Sequence, residues 1–149
     1  MNTRTGLPST SRSLPIALLR AREKVMGPFR AMLADVDVTE QQWRVLRVLH
    51  EGGPLDPTRI AEQACLLLPS LTRILQKLEE KGLIRRAADD QDRRKQVISI
   101  TADGIDLIEA NLERSIAIMD RLRAQLGARR FEELLDLLNA LDRIDLDVP

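Results

Sequence analysis

The sequence has few of the side chains from which metal sites, disulfide bonds and hydrolytic active sites are built. Its 149 residues include one cysteine, one histidine and no tyrosine. A lone cysteine cannot form an internal disulfide, and with a lone histidine it cannot complete a zinc site. The sequence also has no glycine-rich phosphate-binding loop. Its serine, histidine and aspartate residues do not have the spacing of a hydrolase catalytic triad. We therefore expect no metal, no cofactor and no enzymatic activity.

Long apolar runs are absent as well. No run approaches the roughly 18 to 20 residues that span a bilayer, and the opening MNTRTGLPSTSRSLP lacks the apolar centre of a signal peptide. Hydrophobic residues make up 44% of the chain and aromatic residues only 2%, so a packed core must be mostly aliphatic. These features predict a cytoplasmic protein without membrane contact, built as one domain or as one domain with a helical extension.

Positive and negative charges balance but are unevenly distributed. The chain has 23 basic and 23 acidic residues. Basic residues predominate in 1–30 and 73–95, whereas acidic residues predominate in 31–72 and 96–149. An anionic partner at 73–95 is therefore compatible with overall neutrality.

Helical periodicity accounts for most of the first half of the chain. Residues 1–11 are polar, which predicts a disordered tail. From about 13 to 35 apolar residues recur at helical spacing. Thr39 and Gln42 have the spacing of a capping box, which predicts the start of a second helix that ends near His50.

Two further helices and a hairpin follow. Asp56 is a typical N-cap for a short third helix that ends near Ala64. The linker LLL leads into a fourth helix, which begins at Pro69 and is closed by Gly82. LIRRAA and KQVISI then have the composition of two strands that flank the charged loop DDQDRR.

The remaining sequence predicts two helices, over about 102–125 and 128–146, separated by Gly127. The complete order is helix, helix, short helix, helix, hairpin, helix, helix. It predicts a mainly α fold with six helices and a small β-hairpin wing, in which a helix-turn-helix precedes the wing.

The fourth helix has the polar face expected of a DNA recognition helix. At 100° per residue, Ile74, Leu75 and Leu78 lie near Leu71 on one side. Side chains that hydrogen-bond base edges and phosphates occupy the outer and flanking positions. They are Ser70, Thr72, Arg73, Gln76 and Lys77. An ordinary solvated surface helix is the alternative interpretation of this face.

The hairpin loop carries three consecutive basic residues, Arg93, Arg94 and Lys95. Arginines at the end of a stiff ribbon suit a minor groove, where the potential of DNA is most negative. Asp92, two residues before Arg94, is placed to orient it. A solvated charged loop is again the alternative.

These segments resemble the MarR family of winged-helix regulators. DDQDRRKQVISIT is similar to the family's wing, LTRILQKLEEKGLIRR to its recognition helix and TEQQW to the start of its second helix. The likeness extends over about 13–146. SLPIALLRAREKVMGPFR, TEQQWRVLRVL and LLLPSLTRILQKLE are most similar to regulators of homoprotocatechuate (aromatic acid) degradation operons.

The resemblance implies a homodimer on a pseudo-palindromic operator in double-stranded DNA. Residues 37–101 would form the DNA-binding domain, and 12–36 with 102–149 the helical dimerisation platform. Arg94 would contact the minor groove and Asp92 would orient it. Asp90 departs from the family, which often has proline there, and an extra acid is expected to weaken binding or loosen the turn.

A small aromatic acid effector is also expected. Arg22 lies in the middle of the apolar face of the first helix, close to Met26, and a buried guanidinium needs a partner. That partner is either an acid of a neighbouring helix or the carboxylate of the effector. Trp43 and His50 share a face of the second helix and would line the pocket, although core packing also accounts for Trp43. Effector binding would release a repressor from its operator.

Two other functions remain open. Cys65 lies in the apolar run ACLLL, where it is expected to pack against a helix. An accessible, reactive thiol there would instead indicate a redox-sensing regulator of the same fold. A helical adaptor that binds protein but not DNA is the alternative from another class.

Overall fold

The computed structural model describes residues 6–146, which divide into two compact units with the boundary between Glu113 and Arg114. The parts of the predicted tail and of the predicted platform at 1–5 and 147–149 lie outside the described residues. The elements include a 3-10 turn, Thr10–Arg12, before the first α-helix. The others are α1 (Leu14–Ala34), α2 (Glu40–Gly52), α3 (Pro57–Ala64), α4 (Leu68–Glu80), β1 (Ile84–Ala88), β2 (Gln96–Ile100), α5 (Ala102–Ala110), α6 (Leu112–Leu126) and α7 (Ala128–Asp142).

The predicted mainly α fold with a hairpin is confirmed, but the predicted number of six helices is wrong. The described residues form seven α-helices, because the segment expected as one helix over 102–125 is divided at Asn111. The side-chain nitrogen of Asn111 donates to the carbonyl oxygen of Leu107 at 2.8 Å. Such a bond to the fourth preceding carbonyl competes with the backbone ladder and interrupts or bends a helix.

The predicted helix starts are confirmed in atomic detail. Gln42 N donates to Thr39 Oγ1 at 3.1 Å and Thr39 N donates to Gln42 Oε1 at 3.2 Å, which completes the capping box of α2. Asp56 Oδ1 accepts from Arg59 N at 2.9 Å at the start of α3. These bonds satisfy backbone donors that a helix start otherwise leaves unpaired.

A turn at Gly82 leads from α4 into the hairpin. Gly82 has a φ of 73°, a conformation that costs glycine little. Its N–H donates to Glu79 O at 2.9 Å, and Leu83 N donates to Leu78 O at 3.0 Å, the bonding pattern of a Schellman motif. The chain therefore leaves the helix directly into β1.

The two strands are antiparallel and pair Ile84 with Ile100 and Ala88 with Gln96. Ile98 of β2 also exchanges backbone hydrogen bonds with Leu55, in the loop before α3, at 2.8 and 3.1 Å. One side of the hairpin base is thereby attached to the helical part of the first unit.

The core of the first unit is aliphatic, as the composition predicted. Its fully buried side chains come from α1, α2, α3, α4, β2 and α5, so the hairpin contributes to the same core as the helices. The largest are Met32, Leu33, Val45, Leu46, Leu49, Ile60, Leu71, Leu78, Ile98 and Ile108.

The second unit contains most of α6 and all of α7. Gly127, with a φ of 98°, separates the two helices as predicted. Phe131 is buried, and the Arg123 guanidinium lies 4.9 Å from the centre of its ring, within the range of a cation–π contact. Within residues 6–146, no helix is both long and apolar enough to span a membrane.

A single methyl group at Gly104 should destabilise the first unit. An added Cβ would clash with Leu83 O and would lie 2.6 Å from Ile100 Cγ1. We expect Gly104→Ala to lower the free energy of unfolding by about 1–3 kcal/mol, as overpacking does. Urea unfolding followed by circular dichroism measures the change. Gly52→Ala is the matched control, because its Cβ would only reach ordinary contact with Leu55 at 3.7 Å. Equal stability of the two variants would contradict the expectation.

Candidate nucleic-acid interface

The outer face of α4 carries every side chain expected of a recognition helix. Leu71, Leu75 and Leu78 are at most 2% exposed and attach the helix to the core. The amphipathic pattern read from the sequence therefore matches the orientation of the helix. The exposed polar residues are Ser70, Thr72, Arg73, Gln76 and Lys77.

Some of these polar groups are engaged within α4 itself. Thr72 Oγ1 donates to the carbonyl oxygen four residues earlier at 3.3 Å. Gln76 Nε2 lies 3.5 Å and Lys77 Nζ 3.7 Å from the carboxylate of Glu80. Such exposed contacts are weak and are easily exchanged for contacts to DNA. The first two turns thus present hydroxyl, guanidinium and amide groups to the solvent.

The wing loop is closed by its own backbone and by Asp92. Asp89 N donates to Lys95 O, and Lys95 N donates to Asp92 O, both at 2.9 Å. Asp92 Oδ1 accepts from Arg94 N at 3.1 Å and from Arg94 Nε at 3.3 Å. The Arg94 side chain is nonetheless 92% exposed, and Arg93 and Lys95 are exposed beside it. The loop therefore presents a cation whose direction is restrained.

Asp90, which was expected to weaken binding or loosen the turn, lies in a loop that has its own side-chain cap. Gln91 N donates to Asp89 Oδ1 at 2.8 Å, so the loop around Asp90 is held by a side-chain cap. Asp90 itself is exposed, and its charge remains available to repel a phosphate.

An ion pair joins the recognition helix to the wing. Arg86 of β1 donates to Glu79 Oε1 of α4 through Nη2 at 2.8 Å and through Nε at 3.2 Å. The hydrogen bond from Arg86 lowers the pKa of Glu79, and the same bond raises the pKa of Arg86. The pair links the two elements that are expected to enter adjacent grooves.

An open groove of about 660 Å³ lies between the start of α3, the start of α4 and the base of the wing. It contains none of the residues expected to bind the effector. Its lining carries two carboxylates and three cationic side chains, so the charges do not single out one kind of ligand. The lining residues are Asp56, Pro57, Thr58, Arg59, Glu62, Leu68, Arg94, Lys95 and Gln96.

Arg22 is not buried in the single chain, contrary to expectation. Its side chain is 46% exposed, because the apolar face of α1 around it is itself uncovered. Its guanidinium pairs with Glu40 in the first turn of α2, the acid from a neighbouring helix that was one of the two expected partners. Arg30 Nε lies 3.5 Å from the same carboxylate and binds Glu23 at 2.7 and 3.0 Å. Two arginines of α1 thus share the Glu40 carboxylate.

The other expected effector residues differ in accessibility. Met26 is half-buried, whereas Trp43 is 9% exposed and belongs to the core. His50 is exposed in the last turn of α2. Cys65 was expected to pack against a helix, but it is exposed. It ends α3 in a left-handed conformation with a φ of 54°, which turns the chain away from the helix.

Two polar contacts around the recognition helix had no clear sequence signal. Arg44 of α2 donates to the carbonyl oxygens of Ala64 and Cys65, and Lys81 donates to Asp37 O. The partners are backbone atoms far away in sequence, so no residue pattern marks them.

Comparison with known proteins identifies the family. A MarR family model matches residues 38–96, from the residue before the α2 cap to the start of β2. The HTH-type transcriptional regulator FarR of Neisseria gonorrhoeae is 39% identical over 93% of this chain and 97% of its own length. The homoprotocatechuate degradative operon repressor of Escherichia coli is 40% identical over 85% of each chain. The chain belongs to the MarR family.

Solved structures of MarR-family regulators agree with this assignment. NadR in complex with 4-hydroxyphenylacetate is 40% identical, with a TM-score of 0.81 over 93% of this chain and 100% of NadR. The repressor CouR bound to a 23-mer DNA duplex is 30% identical, with a TM-score of 0.76 over 92% of this chain and 99% of CouR. The predicted family and its likeness to homoprotocatechuate regulators are therefore confirmed, and this MarR-family protein is a transcriptional regulator.

The link between the recognition helix and the wing can be measured by its effect on Glu79. Its pKa should lie below the ordinary 4.5, and Arg86→Met should return it towards that value. Because the folded-state pKa is lowered, the pair stabilises the fold above about pH 4.5 and loses that contribution as the pH falls through the lowered pKa. Carboxyl chemical shifts during a pH titration report both values. An unchanged Glu79 pKa in Arg86→Met would show that the pair does not form.

Proposed function

We propose that this MarR-family regulator is a homodimeric repressor that binds a pseudo-palindromic operator and is released by a small aromatic carboxylate. The restrained wing arginine is the observation that carries the DNA-binding part. Arg94 is almost fully exposed, yet Asp92 Oδ1 holds both its backbone N–H and its Nε. A restrained cation loses less conformational entropy when it enters a groove. Such a regulator acts where the chromosome is, in the cytoplasm.

The recognition helix would supply the sequence-specific contacts. Arg73 and Gln76 are exposed on the face of α4 opposite the buried leucines, and side chains of these types form bidentate hydrogen bonds with guanine and adenine edges. Lys95 and Arg93 in the wing would neutralise phosphates. CouR, which shares the fold, is described as bound to a DNA duplex.

Exposed leucines support the homodimer. On α1, Leu18 and Leu19 are 39% and 63% exposed, and on α7 the side chain of Leu137 is 69% exposed. A single chain leaves these faces in water, although burying a leucine side chain contributes about 1.5–3 kcal/mol. Other exposed apolar residues on α1, α6 and α7 are Leu14, Val25, Leu112, Ile116, Leu126, Leu134, Leu135 and Leu138. A second copy that covers both N- and C-terminal helices would bury them.

The effector proposal rests on Arg22 and its carboxylate partner. Glu40 shows that the guanidinium of Arg22 is reachable by a carboxylate, and an effector carboxylate would compete with Glu40 for it. Met26 is half-buried one turn along α1 and would contact the aromatic ring. Trp43 and His50 remain candidates for the wall of this site. NadR is described in complex with 4-hydroxyphenylacetate, an aromatic carboxylate, and the similar Escherichia coli repressor is named for an aromatic acid operon.

DNA binding can be tested with a duplex selected from a random-sequence pool by the unmodified protein. We expect the double variant Arg73→Ala with Arg94→Ala to weaken binding of that duplex about 100-fold or more. Each lost groove contact should cost roughly 1–3 kcal/mol of binding free energy. Fluorescence anisotropy over a series of salt concentrations measures the affinity and its salt slope. The slope should become shallower, because fewer counterions are released.

Arg20→Ala serves as the control for the loss of a positive charge. Arg20 is exposed on α1, outside the expected DNA-binding domain. It should leave both affinity and salt slope unchanged. Undiminished binding by the double variant would refute the proposed interface. Salt-insensitive or absent DNA binding by the unmodified protein would favour the adaptor alternative.

Effector release can be tested with 4-hydroxyphenylacetate and the same duplex. We expect Arg22→Ala to bind DNA normally but to need at least roughly tenfold more ligand for half-release, because hydrogen bonds to charged groups contribute about 1.5–3 kcal/mol. Arg20→Ala should respond like the unmodified protein. Release at an unchanged ligand concentration in Arg22→Ala would show that the ligand binds elsewhere. Peroxide-induced release that is lost in Cys65→Ser would favour the redox alternative.

A further inference from the structure

Arg44 connects α2 to the turn that precedes the recognition helix. Its Nη1 donates to Ala64 O at 2.7 Å and to Cys65 O at 3.3 Å. These are the last residue of α3 and the residue that ends it. The side chain is half-buried, and its guanidinium points to the end of α3.

The turn needs such a donor because of the way α3 ends. Cys65 is left-handed, and the backbone N–H of Leu66 returns to Ala61 O at 2.9 Å. This bond pairs the carbonyl of Ala61, which lies inside the helix. The carbonyls of Ala64 and Cys65 follow the last intrahelical hydrogen bonds, so α3 itself supplies no donor for them. The Arg44 guanidinium satisfies both and places a positive charge at the negative end of the α3 dipole.

The contribution of Arg44 to stability is reduced by one unpaired nitrogen. Arg44 Nε is fully buried and has no hydrogen-bond partner among the described residues. An unpaired buried donor costs about 1–3 kcal/mol. This cost offsets part of the gain from the two carbonyls, and the geometric restraint on the turn is retained.

The far end of the recognition helix is attached to α2 as well. Lys81, which ends α4, donates to Asp37 O in the loop before α2. Its Nζ also lies 3.3 Å from Gln42 Oε1, the oxygen that completes the α2 capping box. Lys81 thus holds the C-terminal end of the recognition helix, whereas Arg44 binds the turn that leads into its N-terminal end.

We propose that Arg44 is a positioning residue for DNA recognition. By holding the turn between α3 and α4 against α2, it sets the angle at which the N-terminal turns of α4 meet the major groove. Arg44 does not touch DNA itself. This inference rests on the proposed function, because it concerns discrimination between DNA sequences.

The test compares affinity for the selected duplex with affinity for a shuffled duplex of the same length and composition. Arg44→Met keeps the length of the side chain but loses its hydrogen-bond donors. We expect it to lower the ratio of the two affinities about tenfold or more, which corresponds to the loss of roughly one base contact. Binding of the shuffled duplex and its salt slope should stay unchanged, because the phosphate-binding residues are intact.

Two further variants separate positioning from packing. Arg44→Lys keeps a cationic donor and should recover most of the affinity ratio that Arg44→Met loses. If Arg44 only fills space, methionine should fill it equally well and the ratio should not fall. Arg47→Met is the matched control, since Arg47 is exposed on the same helix and its side chain makes no hydrogen bond or ion pair within residues 6–146. Amide hydrogen exchange of Leu66 and Leu71 should accelerate in Arg44→Met only.

The outcomes distinguish this inference from the function on which it rests. An unchanged affinity ratio in Arg44→Met, or an equal loss of affinity for both duplexes, would overturn the positioning role while the protein still binds DNA. Unchanged hydrogen exchange at the turn would overturn it as well. If the unmodified protein binds both duplexes equally, the proposed function itself fails, and the inference fails with it.

Discussion

Burial of one face of α2 is the constraint on which the rest of the structure depends. Val45, Leu46 and Leu49 are at most 1% exposed and lie at the centre of the aliphatic core. With the helix fixed by that burial, its polar side chains reach neighbouring elements in defined directions. Glu40 pairs with α1 and Arg44 binds the end of α3. The apolar face supplies most of the stability, and the polar groups add directed contacts to the neighbouring helices.

The same helix therefore lies between the two activities proposed for the protein. Its first turn holds Glu40, which occupies the guanidinium that an effector carboxylate would bind. One turn later, Arg44 holds the turn in front of the recognition helix. A ligand that displaces Glu40 would change the contacts of α2 with α1, and Arg44 joins the same helix to the end of α3. Such a shift in population requires only that the ligand bind one arrangement more tightly than the other.

The wing illustrates how weak interactions can still serve recognition. The exposed pair of Asp92 and Arg94 adds little to stability, as exposed pairs generally do. Its effect is to limit the directions in which the cation points. The Arg86 to Glu79 pair acts similarly between β1 and α4, so the ribbon and the recognition helix present their side chains as one surface.

Local sequence was sufficient to predict the helices, their caps, the hairpin and the polar face of α4. These features depend on contacts between residues close in the chain, such as Thr39 with Gln42 or Asp92 with Arg94, and on the helical period. Similarity to a known family extended the prediction to DNA and an effector. The break at Asn111 was missed, because a side chain that bonds its own helix leaves the apolar periodicity intact.

Only the tertiary structure decided which distant groups meet. Arg22 with Glu40, Arg44 with Ala64 and Lys81 with Asp37 join positions separated by long stretches of chain, and two of the three acceptors are backbone carbonyls that every residue possesses. The exposure of Cys65 was decided in the same way, by the left-handed turn that ends α3. Sequence specifies what each segment can form, whereas the directions in which side chains emerge from the packed helices determine what each group can reach.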